Sequence, residues 1–376
     1  MDRLLGRSTL RRHLTLAVLG MLVVVVVLES TGPFRNAQFA SMAYYGIAGA
    51  GLTILIGLNG QISLGHGAFM AIGAYTAALM LQGGDPLPLP VILLAAALVT
   101  LVAGAVVGVA AARLHGPYLA GATLALAVAV PGIPVYFSGT LGGEQGLNVR
   151  VPDIPPWFAD AVFFVTGQDM SRSRYLGYLG WFCLVVTFVL LANLARGRVG
   201  RTWRAVRDNE VAAELAGIDL GRARVLAFVV SATCAGLAGG LLALSARIAA
   251  PSGFTLTLSL LLLSAIVLGG LGTLTGALIG AAMLTFVPQL VTGLGQDLGL
   301  TDVRAAELAP LTYGLVTMLV VLFAPAGIVG GIRAAAARRR AVKTSGTSKE
   351  ARKDEAMDEI RGVTGDRHPG GGVRRG

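Results

Sequence analysis

Two stretches of this 376-residue chain carry polar side chains within a largely apolar sequence. The first is 57–76, GLNGQISLGHGAFMAIGAYT, which places Asn59, Gln61, Ser63 and His66 in a glycine-rich break between apolar runs. Carboxamides, a hydroxyl and an imidazole can hydrogen-bond a zwitterion such as an amino acid without carrying a fixed charge. The stretch therefore predicts a weak, passing contact on a translocation path, unless these groups cap helix ends and bond to one another. His66 by itself fits a hydrogen-bonded structural histidine better than a ligand.

The second stretch is 196–224, RGRVGRTWRAVRDNEVAAELAGIDLGRAR, and it is rich in charge. It holds seven arginines and four carboxylates, and an apolar run lies on each side of it. Because a lipid interior would reject so many charges, we expect an aqueous loop between two membrane spans.

The loop also carries the pattern of a short helix. Asp208 or Asn209 can cap its start, Glu210 suits the positive end of the first turn, and Gly217 can end it after roughly 12 Å. An amphipathic helix of this kind is suited to docking into a cleft of another protein, although a merely solvated connection is equally compatible with the composition. The apolar stripe consists of Val211, Leu215 and Ile218.

The elements that must position these stretches are membrane helices. A mean hydropathy of +0.73 with 13% charged residues excludes an ordinary soluble protein. We predict an all-α polytopic membrane protein with about ten spans, which could form a 5+5 inverted repeat. The predicted spans are 13–31, 37–57, 61–82, 90–112, 118–138, 175–195, 224–247, 257–272, 275–296 and 309–326.

The distribution of Lys and Arg predicts the orientation of these spans. With the N-terminus in the cytoplasm, 24 of the 30 basic residues fall inside: four before the first span, Arg113, seven in the charged loop and twelve in the tail. We therefore expect both termini in the cytoplasm and an uncleaved first span. The predicted regions are a cytoplasmic N-terminus 1–12, a membrane domain 13–330 with external loop 139–174 and cytoplasmic loop 196–223, and a disordered basic tail 331–376 that contacts lipid headgroups.

Interruptions and small residues should shape the packing of the spans. Pro131 and Pro134 are predicted to interrupt span 118–138, and the break at 57–67 divides a longer apolar run. Glycines four residues apart should let helices approach closely, which we interpret as simple packing. These pairs are Gly104 and Gly108, Gly236 and Gly240, and Gly276 and Gly280.

Several absences narrow the function. The three lysines, Lys343, Lys349 and Lys353, lie in the tail, so the membrane domain cannot contain a phosphate-binding GxxxxGK[ST] loop. No carboxylate falls in the middle of a predicted span, as proton- or sodium-driven carriers usually require. The four histidines and two cysteines lack metal-ligand spacing, and the basic residues follow topology rather than nucleic-acid binding. We therefore expect no enzyme activity, metal or cofactor in this chain.

Four blocks together resemble the permease subunits of branched-chain amino-acid ABC importers, of the LivM type. They are GLNGQISLGHGAFMAIGAY at 57–75, GGEQGL at 142–147, GRVGRTWRAVRDNEVAAELAGID at 197–219 with LAFVVSATCAGLAGGLLA at 226–243, and LLLSAIVLGGLGTLTGALIGA at 261–281. The likeness extends from about residue 40 to 330, and the first and third blocks are the specific ones.

The resemblance implies a transport subunit in a bacterial cell membrane. Its partners would be a second, LivH-like permease, two cytoplasmic ATPase subunits that bind ATP and Mg, and an extracytoplasmic solute-binding protein. The family's coupling motif to the ATPase falls on Glu210, Ala212, Ala213 and Gly217, with Glu214 inside it, although Val211 separates the Glu from the Ala pair. Arg204 and Arg207 are expected to hold this loop or to meet acidic groups on the ATPase. The outer-loop block falls on Gly142, Gly143, Gly146 and Leu147.

Other readings stay open at this point. Related systems carry other amino acids, amides or urea, and the stretch LALAVAVPGIPVYF lacks the polar or acidic residue of similar permeases. A self-powered secondary carrier or channel for a small polar solute is one alternative. A non-transporting membrane scaffold, with the charged loop as a protein-binding site, is the other.

Overall fold

The computed structural model describes residues 9–83, 87–114, 116–167, 169–323 and 327–332. The chain divides into two compact units, Met1–Ile328 and Val329–Gly376. In the second unit only residues 329–332 are described, and they are helical. The predicted tail beyond residue 332 and the first eight residues lie outside the described part of the chain.

The first unit is built almost entirely from helices over its described residues. The α2 helix continues into a π-helical segment, Thr53–Leu58, and two short antiparallel strands, β1 (Leu147–Asn148) and β2 (Ile248–Ala249), pair outside the helices. The helices are α1 Thr9–Ser30, α2 Pro33–Leu52, α3 His66–Met80, α4 Leu89–Ala111, α5 Pro117–Tyr136, α6 Ser138–Leu141, α7 Pro156–Thr166, α8 Arg172–Arg196, α9 Arg198–Asp208, α10 Glu210–Leu215, α11 Leu220–Ala246, α12 Leu256–Gly269, α13 Leu274–Asp297 and α14 Asp302–Phe323.

The predicted fold class, an all-α polytopic membrane protein, is confirmed. Each of the ten predicted spans contains a helix, and eight helical segments within the described residues are long and apolar enough to cross a membrane. Of the helices in the other two predicted spans, α3 has 15 residues and a length of about 22 Å, which is shorter than the roughly 20 residues that a bilayer requires. The α1 helix has 22 residues, and the apolar stretch found among its described side chains is Ala17–Ser30.

Two predicted details of the spans are wrong. Residues 61–65 are not helical, so the third predicted span begins only at His66. The fifth is not interrupted at its prolines, because α5 continues through Pro131 and Pro134 to Tyr136. A proline removes only one backbone donor from the helix, and neighbouring turns can absorb the distortion.

The core of the first unit lies around α11, which packs against α2, α3 and α4. Small residues allow this contact: a Cβ on Gly73 would overlap the backbone of Gly236, and one on Gly239 would overlap Met70. The predicted close approaches are confirmed at Gly104, Gly236 and Gly280, where an added Cβ would collide with the neighbouring helix. We call the N-terminal turns of α11, which directly follow the charged loop, the base of this helix.

The order of helices repeats along the described chain. The series α1 to α5 and the series α8, α11, α12, α13 and α14 each contain a short helix at the third position, of 15 and 14 residues. Equivalent pairs also pack alike, because α4 runs antiparallel to α11 and α13 runs antiparallel to α2. These features agree with two halves of five helices, and the inverted orientation of the second half stays a prediction.

Candidate functional site

The charged loop folds into two helices, and the first, α9, was not predicted. Its buried residues Gly200, Trp203 and Val206 recur every three positions, while Arg198 and Arg201 are exposed on the other side. This is the pattern of an amphipathic helix lying against a surface. Gly200 allows α9 to lie this close to the end of α8, because a Cβ on residue 200 would overlap the backbone of Ala195. The sequence contained a signal for α9, because Arg198 and Arg201 fall between the buried positions and together with them form an amphipathic pattern.

Trp203 fixes α9 to the base of α11. Its indole is fully buried, and Nε1 donates a hydrogen bond to the carbonyl oxygen of Ala223 over 2.9 Å. A buried indole N–H needs such an acceptor, and the large ring fills the space between the two helices. Trp203 therefore packs α9 against a helix that is long and apolar enough to cross a membrane.

The second helix, α10, matches the predicted coupling helix but is shorter, with six residues and a length of about 9 Å. Asn209, not Asp208, is the N-cap, and its Oδ1 accepts a hydrogen bond from the backbone N–H of Ala212 over 3.0 Å. Gly217 ends the helix with φ +82°, which a glycine adopts without strain. Ala213 is buried, whereas Glu214 is exposed.

The apolar stripe on α10 faces outward. The side chains of Val211 and Leu215 are 67% and 85% exposed, and Ile218 beyond the helix is half-buried. A capped helix that presents two large apolar side chains to solvent has a surface suited to a protein partner. A solvated connection would not need this arrangement.

An ion pair ties α10 to the membrane helices. Glu210 Oε2 lies 2.6 Å from Nη2 of Arg224, whose side chain is only 6% exposed, while that of Glu210 is 51% exposed. Nη1 of Arg224 also donates to the carbonyl oxygen of Ala112, just after α4, over 3.4 Å. Arg224 thus links α10 to α11 and α4. Arg224 was not among the predicted site residues, although an arginine at the start of an apolar run is a detectable signal in the sequence.

Arg207 forms a second link, to the break after α2. Its Nη1 donates to the carbonyl oxygen of Gly57 over 2.5 Å, and its side chain fills the space beside Gly60, whose φ is +78°. Gly57 in turn packs against Gly272, in the connection between α12 and α13. Arg207 therefore ties the loop to the break after α2, and its contact with an ATPase stays a prediction. Arg204 is half-buried and forms no ion pair among the described residues.

The four polar residues of the break are all buried, but they do not form one cluster. Asn59 and Gln61 flank Gly60 beside Arg207, whereas His66 Nε2 donates to the carbonyl oxygen of Ala48 over 2.9 Å. Ala48 lies ten residues before the helical segment ends at Leu58, which corresponds to roughly 15 Å along the helix. The break thus rises from one end of the bundle into its interior.

The polar groups of the break differ in how they are satisfied. Ser63 Oγ accepts a hydrogen bond from the N–H of Gly65 over 3.4 Å, but the start of α3 has no side-chain cap. Both polar atoms of the Asn59 carboxamide and Oε1 of Gln61 are buried without a hydrogen-bond partner among the described residues. Buried polar groups of this kind cost free energy when they are left unpaired.

The N-termini of the two short helices meet inside the bundle. The backbone N–H of Gly67 in α3 donates to Oγ of Ser259 in α12 over 2.9 Å, and the N–H of Leu64 donates to Oγ1 of Thr123 over 3.0 Å. Helix N-termini carry partial positive charge and favour carboxylates, and discontinuous helices of this kind bind solutes in many transporters. Ser259 and Thr123 were missed, because single hydroxyls in apolar runs give no distinctive sequence signal.

The GGEQGL block forms a tight loop outside the helices. Gly142, Gly143 and Gly146 all have positive φ, between 60° and 76°, and a Cβ on Gly146 would overlap Ala249 of β2. This loop leads into β1 and is therefore attached to the segment that follows α11. No group of three or more potential metal ligands occurs within the described residues.

These features are those of a polytopic membrane permease: helices that can span a membrane, two short helices that meet in the interior, and a short helix in a charged loop that is tied to several of the long helices. Residues 37–325 match the family described as "Branched-chain amino acid transport system / permease component". The chain belongs to this family of transport permeases, which are not enzymes.

The similarity to individual relatives extends over most of the chain. The high-affinity branched-chain amino acid transport system permease protein LivM of Salmonella typhimurium is 30% identical over 341 residues, which cover 86% of this chain and 76% of the relative. LivM of Escherichia coli is 30% identical over 82% of this chain and 74% of its own length. BraD of Pseudomonas aeruginosa is 27% identical over an alignment that covers 76% of this chain and 91% of BraD. No solved structure matches significantly.

Proposed function

We propose that this chain is one transmembrane subunit of an ATP-driven importer of branched-chain amino acids in a bacterial cell membrane, with both termini in the cytoplasm. A second, LivH-like permease would complete the membrane pore. Two ATPase subunits would bind ATP and Mg, and an extracytoplasmic solute-binding protein would deliver the amino acid. Family membership and the substrate named for LivM and BraD support this assignment.

The observation that carries the proposal is the exposed apolar face of α10 on a helix tied to the bundle. Val211 and Leu215 offer an ATPase cleft two side chains, each contributing about 1.5–3 kcal/mol when buried. A displacement of α10 then reaches α11 through Glu210 and Arg224. Such a chain of packed contacts would couple a conformational change in the ATPase subunits to the membrane helices.

The second link carries the displacement to the break. Through Arg207, movement of α9 pulls on Gly57, at the end of the long helical segment that begins with α2. The unpaired carboxamide of Asn59 and the unpaired Oε1 of Gln61 lie next to this point. In the proposed cycle, ATP-driven closure of the ATPases shifts both links, and the bundle opens alternately to the two sides.

The site for the solute is proposed where the short helices α3 and α12 meet. Their N-termini favour the carboxylate of an amino acid, while the apolar spans around them suit an aliphatic side chain. Few charged side chains lie near the N-termini of α3 and α12, so the proposed contact with the amino acid is weak. Selection among solutes is accordingly assigned to the binding protein.

The test uses the complete transporter in proteoliposomes with ATP inside and labelled leucine outside. Val211→Asp combined with Leu215→Asp should reduce uptake at least about a hundredfold, because 3 kcal/mol or more of docking energy is lost. Leu298→Asp is the matched control, since Leu298 is 83% exposed but lies after α13, away from the loop. Its uptake should stay normal.

Two outcomes would contradict the proposal. Normal uptake by the double variant would separate α10 from the ATPase. Concentration of leucine by this chain alone, without ATPase subunits, would instead establish a self-powered carrier. A solute-binding protein that delivers an amide or urea, and not leucine, would change the substrate but leave the coupling intact.

A further inference from the structure

A cavity of about 390 Å³ lies between α9 and the first turns of α11, beside the segment that follows α10. One wall is apolar and includes Val199, Ile218 and Leu226. Leu226 is 42% exposed and belongs to a helix that is long and apolar enough to cross a membrane. This wall therefore continues onto a surface that lipid covers.

The rim of the same cavity is positively charged. Arg198 and Arg222 both line it, and both are exposed. The carboxylate that also lines it, Asp219, is already engaged: Oδ2 lies 3.1 Å from Nε of Arg222, and Oδ1 accepts the backbone N–H of Arg222 over 2.9 Å. Two arginines and one carboxylate leave a net charge of +1 at the rim, which suits an anion.

The position of the cavity combines these two chemistries. The α8 helix ends at Arg196 and α9 begins at Arg198, so α9 lies at the boundary between the apolar bundle and water. A soluble anion would use the arginines but would gain nothing from the apolar wall. An amphiphile with an anionic head and an aliphatic chain uses both.

We propose that this cavity binds one anionic phospholipid, with its phosphate between Arg198 and Arg222 and an acyl chain along Leu226. Gly217, Ile218 and Asp219 line the cavity and connect α10 to α11, so the bound lipid also braces this connection. The proposal concerns a site that the transported solute does not touch. It can therefore fail or succeed independently of the proposed import function.

The full-length chain, purified in detergent, can be titrated with phosphatidylglycerol or phosphatidylcholine and followed by native mass spectrometry. Arg198→Gln and Arg222→Gln should each weaken phosphatidylglycerol binding about fivefold, as expected for one basic residue near an anionic headgroup. Phosphatidylcholine binding should not change. Arg198→Lys keeps the charge and should keep the affinity.

Arg201→Gln is the matched control, because Arg201 is exposed on the same helix but does not line the cavity. If it weakens phosphatidylglycerol binding as much as the two cavity variants, the proposal is wrong. Soluble glycerophosphoglycerol that competes as well as the lipid would identify a free phosphate site instead. Normal lipid binding by the cavity variants, together with loss of ATPase binding, would assign the cavity to a protein partner.

A second measurement tests whether the bound lipid stabilises the connection between α10 and α11. Hydrogen–deuterium exchange of the amides at 217–219 should slow when wild-type chain in phosphatidylcholine nanodiscs receives phosphatidylglycerol. The same addition should have no effect on Arg198→Gln. Equal slowing in both proteins would overturn the proposed position of the lipid.

Discussion

The ion pair between Glu210 and Arg224 gives the sharpest test of how α10 is held. The perturbation is Glu210→Gln, which keeps the size of the side chain and removes its charge. It leaves the guanidinium of Arg224 in place, 6% exposed, with its hydrogen bond to Ala112. The question is how much free energy the lost carboxylate contributed.

Two limits bracket the answer. Exposed ion pairs contribute about 0.2–1 kcal/mol, whereas removal of one partner from a fully buried pair costs about 3–5 kcal/mol. This pair is intermediate, since Arg224 is buried and Glu210 is 51% exposed. Water can partly solvate the carboxylate, and Arg224 keeps its bond to Ala112. We therefore expect a cost of about 1–2 kcal/mol.

This cost should appear as easier local opening of α10. Hydrogen–deuterium exchange of its protected amides, from Ala213 to Gly217, should become about 5 to 30 times faster, since opening free energy sets the exchange rate. In the double-mutant cycle, Arg224→Gln added to Glu210→Gln should produce less than the sum of the single effects. ATP-driven uptake should fall in parallel, because α10 no longer pulls firmly on α11.

Glu214→Gln provides the matched control. Glu214 lies on the same helix, is exposed, and forms no ion pair among the described residues. Its exchange rates should equal those of the wild type. If Glu210→Gln behaves like Glu214→Gln, or if the cycle is additive, the ion pair does not hold α10 and the reasoning is refuted.

Three further predictions concern packing and backbone. Trp203→Phe should remove the hydrogen bond to Ala223, cost about 1 kcal/mol and speed exchange of the α9 amides about fivefold, whereas an unchanged rate would mean that the bond is not formed. Gly73→Ala should lower the melting temperature or prevent folding, because the added Cβ would overlap the backbone of α11. Gly132→Ala is the control and should melt at the wild-type temperature, because nothing lies within 4 Å of its added Cβ. Equal melting temperatures for the two variants would contradict the close contact between α3 and α11. Gly217→Ala should cost about 1 kcal/mol through its positive φ and reduce uptake without loss of membrane insertion, so full uptake would show that the helix end is not critical.

Much of the fold followed from local chemistry. Long apolar runs between charged segments predicted where the helices lie, because an apolar segment in a bilayer must satisfy its own backbone hydrogen bonds. The cap at Asn209 and the stop at Gly217 also followed from the residues, since both depend on neighbours within one turn. The glycine pairs correctly predicted close helix contacts.

Other features arise between residues far apart in the chain. Arg224 pairs with a residue 14 positions earlier, and Arg207 reaches Gly57 across 150 positions, so neither contact leaves a local pattern. The sequence placed Asn59 and His66 in one break, and the tertiary structure separated them. What the sequence alone determined was a membrane bundle with a charged loop and a short helix in that loop, because hydropathy and capping act over a few residues. The tertiary structure decided which spans that helix is tied to and where α3 and α12 meet, because those contacts exist only once the spans have packed.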